Sequence, residues 1–190
     1  MQKELVKAYE GMFIPGFAPV CKCKPELPES LEISPTDIST FMKTLKKKEE
    51  SKVFGLRAGL LVTNLIQKSF NQGHNDFKIS TKKLNEPLEY LCSGIKGKPD
   101  KYLKVSVDGN AGYSLAAGAR YVDMKFRGEC LGHFGAKAKN SILRCTEEGE
   151  LECARRDAGP DCQLYLIKGE KEVPYTKFRS IVHNFKKMMA

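Results

Sequence analysis

Cysteine and histidine are the residues in this sequence whose spacing could support chemistry. Cys21 and Cys23 are separated by one lysine, and a pair of thiolates can chelate a soft cation such as Zn²⁺. The pair supplies only two ligands, and no Cys-x-x-Cys or spaced histidine pair follows it. Because a structural zinc site takes four ligands, we expect no metal here unless a partner chain supplies the others.

Two other arrangements of cysteine are conceivable metal sites. Cys130 and His133 have the spacing of two ligands on a loop, but we favour structural roles for both. Cys145, Cys153 and Cys162 could converge as a three-thiol cluster. The alternative is that Cys145 and Cys162 occupy inward strand positions as small apolar residues.

The sequence contains few residues in a pattern that would indicate catalytic activity. A nucleophilic mechanism needs Cys or Ser beside a histidine and an orienting acid, and none of the three histidines has a recognisable catalytic context. The acidic residues at 147–150 are typical of a solvent-exposed loop. The glycines at 109 and 112 lack the strand-to-helix context and the Lys-Ser/Thr ending of a phosphate loop. We therefore expect a protein that is not an enzyme and needs no cofactor.

Length and charge narrow the class of protein. The chain has 190 residues, enough to bury a core without disulfides, and a formal net charge of +9. It has no apolar run long enough for a transmembrane segment and no signal-like start, so we expect a cytoplasmic protein whose seven cysteines are thiols. The positive excess lies in residues 55–101 and 171–190, whereas 102–170 is neutral. A nucleic-acid interface usually concentrates its basic residues, so the neutral segment weakens that alternative.

The first half of the chain predicts helices. Residues 1–33 contain several prolines and are predicted to be an irregular arm that packs on the remainder. Ser34 can cap a helix that begins at Pro35, with Asp37 in its first turn. A second helix is predicted near 55–71, with small residues at 55, 58 and 59 that permit close approach of another element. A short strand follows at 76–80.

A sequence repeat begins after Tyr102, with a period of about 19 residues. Alternating strands are predicted at 103–109, 122–128 and 141–145, with a looser copy at 162–166. The register predicts two inward columns, one of Val105, Met124 and Leu143, the other of Val107, Phe126 and Cys145. A period near twenty with one strand in each copy is typical of a solenoid. The alternative is an antiparallel sheet whose connections are similar in length.

The repeat resembles a known family. The segment 107–112, followed by 115–118 and 135–141, resembles the right-handed Gly-x-Gly-x-Gly β-helix of the C-terminal domain of the glutamate synthase large subunit. The same repeat occurs in one of the subunits of formylmethanofuran dehydrogenase and in stand-alone archaeal proteins of unassigned function, which this chain resembles most. The likeness covers about residues 100–168. It implies a scaffold without catalytic residues.

The C-terminal segment predicts an amphipathic basic helix. Its apolar face comprises Phe178, Ile181, Val182 and Phe185, and Lys186 and Lys187 add positive charge. This helix could cap the open end of the repeat, dock on a partner, lie on an anionic membrane or bind nucleic acid. We expect capping first and partner docking next.

Together these features predict one compact unit of α+β or mainly β class. It would begin with an arm (1–33) and a helical segment (34–100) and end with a C-terminal helix (171–190). Between them, residues 101–170 would form a short right-handed single-stranded β-helix with about 19 residues per coil.

We expect a non-catalytic scaffold or assembly subunit that presents the β-helix surface to a cytoplasmic protein. One alternative is nucleic-acid binding through residues 55–101 and the C-terminal helix. Another is an accessory domain of an enzyme like glutamate synthase or formylmethanofuran dehydrogenase.

Overall fold

A computed structural model of the protein describes residues 2–12, 25, 27–45 and 53–175. These residues have an α+β fold, as expected from the sequence. The four described helices are α1 (Gln2–Gly11), α2 (Pro35–Leu45), α3 (Phe54–Asn71) and α4 (Glu148–Asp157). The eight described strands are β1 (Asp76–Ser80), β2 (Leu103–Asp108), β3 (Ala111–Tyr113), β4 (Val122–Arg127), β5 (Cys130–Gly132), β6 (Ile142–Cys145), β7 (Gln163–Lys168) and β8 (Lys171–Pro174).

The start of α2 has the cap predicted from its sequence. The amide of Ser34 donates to the carboxylate of Asp37 over 2.9 Å, and the amide of Asp37 donates to the Ser34 hydroxyl over 3.2 Å. This reciprocal pair satisfies two amides that the helix itself cannot. The expectation of an irregular arm is wrong for residues 2–11, which form α1 and bury Leu5 and Tyr9.

Six strands form one sheet in the order β1-β2-β4-β6-β7-β8, parallel throughout except for the last pair. Val105 lies opposite Met124, and Met124 opposite Leu143, so the register predicted from the repeat is confirmed. The looser fourth copy is also confirmed, since Leu143 pairs with Leu164. The antiparallel alternative is wrong for the repeated strands. We call this sheet the front sheet.

The repeats that begin with β1, β2 and β4 also contribute to two further parallel ladders. On the second side, Leu88 bridges Ala111, and β3 pairs with β5. On the third side, single bridges join Lys96 to Arg120 and Arg120 to Lys139. The chain thus passes through three ladders in each of these repeats before it returns to the front sheet. In the repeat that begins with β6, helix α4 follows instead of a second-side strand.

The turns between the second and third sides also stack. Left-handed backbone recurs at Ser114 and His133, whose φ angles are 64° and 60°, one repeat apart. This conformation is costly for residues with a Cβ, so it persists where neighbouring contacts fix it. Here the Gly94 amide donates to the Ala117 carbonyl, and the Gly118 amide donates to the Ala136 carbonyl, both over 2.7 Å. These bonds hold each turn on the next.

Helix α3 covers the free edge of the first repeat. A Cβ at Gly59 would collide with the Glu89 carbonyl, which confirms that the small residues of α3 permit close approach. The Thr63 hydroxyl accepts the Cys92 amide over 2.7 Å, and the Gln67 side chain bonds both the amide and the carbonyl of Lys96. Backbone groups that lack a strand partner are thereby satisfied by helix side chains.

Helix α4 and strand β8 cover the other end. The acidic stretch was expected to be a loop, but it begins α4, whose Glu150 carboxylate accepts the Cys130 amide over 2.9 Å. Residues 171–174 form β8 and do not begin the predicted C-terminal helix. Because β8 pairs with β7, the front sheet ends in a hairpin. Residues 176–190 lie outside the described residues.

The inward columns of the front sheet are buried. Val105 is 1% exposed, and Met124 and Leu143 are fully buried. An aspartate at position 124 would place an unpaired carboxylate between two repeats, so we expect Met124→Asp to lower the free energy of unfolding by about 4 kcal/mol or more. Urea denaturation followed by circular dichroism measures the loss.

Ser106→Asp is the matched control, because Ser106 faces outward between Lys78 and Lys125 in register. We expect it to change stability by no more than about 0.5 kcal/mol. Lys125 is a poorer control, since its ammonium pairs with Glu172 over 3.0 Å. Equal losses for Met124→Asp and Ser106→Asp would contradict this register.

Candidate functional site

Several residues singled out by sequence fall outside the described part of the chain. They include the cysteine pair Cys21 and Cys23 and the tail residues Phe178, Ile181, Val182, Phe185, Lys186 and Lys187. Their predicted roles stay predictions.

Cys130 and His133 do not form a site together. The Cys130 thiol lies 3.0 Å from the Gly112 carbonyl, and burial raises its pKa. His133 is exposed at a left-handed turn position, and no hydrogen bond joins the two side chains. Cys130 is the first residue of β5 and His133 lies in the turn that follows this strand, so their spacing reflects the length of β5.

The cysteines at 145, 153 and 162 are not gathered around a common centre. Within the described ranges, no three His, Cys, Asp or Glu side chains are placed to hold a metal ion. Cys145 is buried in the inward column, as the apolar alternative expected, and burial raises its pKa to about 12. A thiol that stays protonated at neutral pH is a poor nucleophile and a poor ligand.

A cleft of about 640 Å³ lies between α4 and the β7–β8 hairpin. Cys162 lines it, but no His, Asp or Glu among the described residues does. Arg155 also lines it, and its guanidinium already makes two bonds to Glu152, of 2.6 and 3.1 Å. The cleft therefore brings together no nucleophile and base.

On the outward face of the front sheet, Asp123, Lys125, Arg144 and Glu172 form a network of ion pairs. Arg144 pairs with Asp123 and donates to Glu172 over 2.6 Å, and its guanidinium lies over the Tyr165 ring. Burial raises the pKa of Glu172, but bonds from Lys125 and Arg144 outweigh this and lower it. This network ties β8 to the sheet.

Two apolar side chains on neighbouring strands of the second side are exposed, and we call these two residues the apolar patch. Tyr113 is 48% exposed on β3, and Leu131 is 59% exposed on β5. Gly132 lies opposite Tyr113 in the ladder, and a Cβ there would lie 3.5 Å from the tyrosine ring. The patch was not identified from the sequence, because alternation in three-residue strands is too short to detect.

Acidic side chains border the apolar patch. Burial raises the pKa of Glu150, and the negative charges of the nearby Glu147 and Glu129 raise it further. Glu129 directly precedes β5 and Glu150 bonds its first residue, so negative charge lies next to the strand that carries Leu131.

The third side carries a column of basic residues, Lys96, Arg120 and Lys139, which we call the basic column. Lys96 belongs to the basic segment 55–101, but Arg120 and Lys139 lie in 102–170, whose net charge is zero, so the sequence did not indicate the column. In the fold, acidic residues of this segment lie near the second side and these cations lie on the third. Opposite charges that cancel in the net charge of the segment are therefore separated in space.

Comparison with known proteins gives no relative. No protein-family model matches the chain, and no curated protein or solved structure is detectably similar to it.

None of the described helices combines the length and the apolar character needed to cross a membrane.

Cysteine labelling tests the assignment of the buried thiols. We expect Cys92 and Cys145 to resist iodoacetamide in the native protein at pH 8, because both are buried and burial raises their pKa. Cys153 is partly exposed on α4 and serves as the internal control that reacts. Peptide mass spectrometry after timed labelling measures the three rates. Labelling of Cys145 as fast as Cys153 would mean that its thiol is accessible and reactive.

Proposed function

We propose that the protein is a non-catalytic scaffold whose stacked repeats form a short right-handed single-stranded β-helix. Three parallel ladders, a register that recurs from β2 to β4 and β6, and left-handed backbone at matching turn positions support this architecture. The proposal retains the resemblance to the β-helix of glutamate synthase and of formylmethanofuran dehydrogenase. On this view the function is to present a fixed surface to a cytoplasmic protein partner.

The observation that carries the proposal is the apolar patch. Its backbone is fixed on both sides, since the Tyr90 amide donates to the Tyr113 carbonyl over 2.8 Å and the Ser114 amide donates to the Gly132 carbonyl over 2.9 Å. Tyrosine supplies a large contact area and loses little side-chain entropy on binding. A rigid patch also avoids the cost of ordering a loop when a partner binds.

The charges around the patch define the chemistry of the partner. Glu129 and Glu147 are exposed, so a complementary protein would present an apolar contact bordered by Lys or Arg. The predicted tail helix, with Phe178 and Phe185, remains a proposed second contact element.

Differential capture tests this function. We expect the double variant Tyr113→Ser, Leu131→Ser to lose at least tenfold of the partner that the wild-type protein retains from extracts of its own cells. Val173→Ser is the matched control, because Val173 is also an exposed apolar side chain, 44% accessible on β8. Quantitative mass spectrometry measures the bound proteins, and thermal melting verifies that the variants fold.

Equal capture by the double variant and the control would contradict the proposal. So would a wild-type protein that self-associates in light scattering while the double variant is monomeric, because a second copy would then occupy the patch. If removal of residues 176–190 abolished capture while the double variant still captured the partner, the tail and not the apolar patch would be the element that binds the partner.

A further inference from the structure

The basic column has a fixed geometry. The Arg120 amide donates to the Ile95 carbonyl over 3.0 Å, and the Lys139 amide donates to the Ala119 carbonyl over 2.9 Å. Neighbouring strands in a ladder lie about 4.8 Å apart, so the three residues follow one line about 10 Å long. All three side chains are exposed.

These cations form no ion pairs with acidic side chains in the part of the chain that the structure describes. Among the described residues, no ion pair joins Lys96, Arg120 or Lys139 to a carboxylate, and the same holds for Lys98 and Lys137 nearby. Like charges stacked directly opposite one another in a sheet repel and destabilise it. Lys125 and Arg144, which lie opposite each other on the front sheet, share the carboxylate of Glu172. The basic column has no such carboxylate among the described residues, which points to an external anion.

Two aromatic rings lie beside the column. Tyr121 follows Arg120 directly, and its amide donates to the Lys139 carbonyl over 3.3 Å. Its ring packs edge to face against Tyr102, with centroids 6.1 Å apart and planes at 85°. Both tyrosines are partly exposed. A line of cations with adjacent aromatic rings is the combination by which proteins hold the phosphates and stack the bases of single strands.

We propose that the basic column and Tyr121 form a binding site for single-stranded nucleic acid. Lys96, Arg120 and Lys139 contact successive phosphates, and Tyr121, supported by Tyr102, stacks on a base. A column one residue wide matches a linear polymer better than a membrane plane. A paired base would keep its faces inside the duplex, so the tyrosine favours a single strand. This site differs in position and chemistry from the apolar patch and does not depend on the scaffold proposal.

Fluorescence anisotropy with labelled 12-mers of thymidine and of uridine tests the site in the full chain. We expect wild-type binding at 20 mM salt that weakens steeply by 200 mM. The triple variant Lys96→Gln, Arg120→Gln, Lys139→Gln should bind at least tenfold more weakly. Its slope of log affinity against log salt should be smaller by about 2, since each phosphate contact on a single strand contributes about 0.7. The DNA and RNA probes together decide which sugar is preferred.

The control removes the same charge elsewhere. Lys78→Gln, Lys83→Gln, Lys104→Gln changes three exposed lysines outside the third side, and we expect less than a threefold loss. Equal losses in the two triple variants would mean that net charge alone attracts the probe, which would overturn the proposed site. Absence of wild-type binding at 20 mM salt would overturn it as well.

A second variant tests the aromatic part. Tyr121→Leu should weaken binding of the 12-mers about tenfold and leave binding of an abasic 12-mer unchanged, provided that its melting temperature matches the wild type. Equal effects on both probes would remove base stacking from the proposal. Duplex DNA bound as tightly as the single strand, or phosphatidylserine vesicles bound with the same dependence on the basic column, would replace the single strand as ligand and contradict the inference.

Discussion

A stack of parallel strands exposes unpaired backbone amides and carbonyls at its first and last repeats, and the rest of this structure depends on how they are satisfied. Buried polar groups without partners are costly, and open strand edges promote aggregation. At the first repeat the side chains of Thr63 and Gln67 take the place of a preceding strand. At the other end the Glu150 carboxylate accepts the Cys130 amide, and the Asp157 carbonyl accepts the Lys137 amide over 2.7 Å. The helices are therefore structural partners of the repeats.

The three sides of the stack differ in chemistry. On the outward face of the front sheet, Arg144 and Glu172 form an ion pair with each other. The second side presents Tyr113 and Leu131 near acidic residues, and the third side presents cations that form no ion pair within the described residues. Because the repeat length fixes which residues stack, one backbone can present an apolar surface and a basic line that face different ligands. The two proposed sites would allow the scaffold to bring a protein and a nucleic acid together.

The regular parts of this fold could be predicted from sequence, because they depend on local patterns. Alternation of Val105 and Val107 and its recurrence in the next repeat set the register, and the Ser34–Asp37 cap set the start of α2. The features that could not be predicted depend on contacts between residues that are far apart in the sequence. The acidic residues that begin α4 look like a solvent loop until Glu150 meets the Cys130 amide. The pairing of β1 with β2 joins Phe77 to Val105, a separation that does not match the repeat period. The basic column comes from three separate turns, so no local window contains it.

Removing the Thr63 hydroxyl tests the role of the end contacts most directly. Thr63→Val keeps the shape of the side chain but leaves the Cys92 amide, buried and bonded over 2.7 Å, without its acceptor. We predict a loss of about 2 kcal/mol in the free energy of unfolding by urea denaturation. Thr44→Val is the control, since within the described residues that hydroxyl bonds the Phe41 carbonyl of its own helix, and it should cost no more than about 0.5 kcal/mol. Equal stability of the two variants would contradict the claim that α3 holds the stack together by completing its first edge.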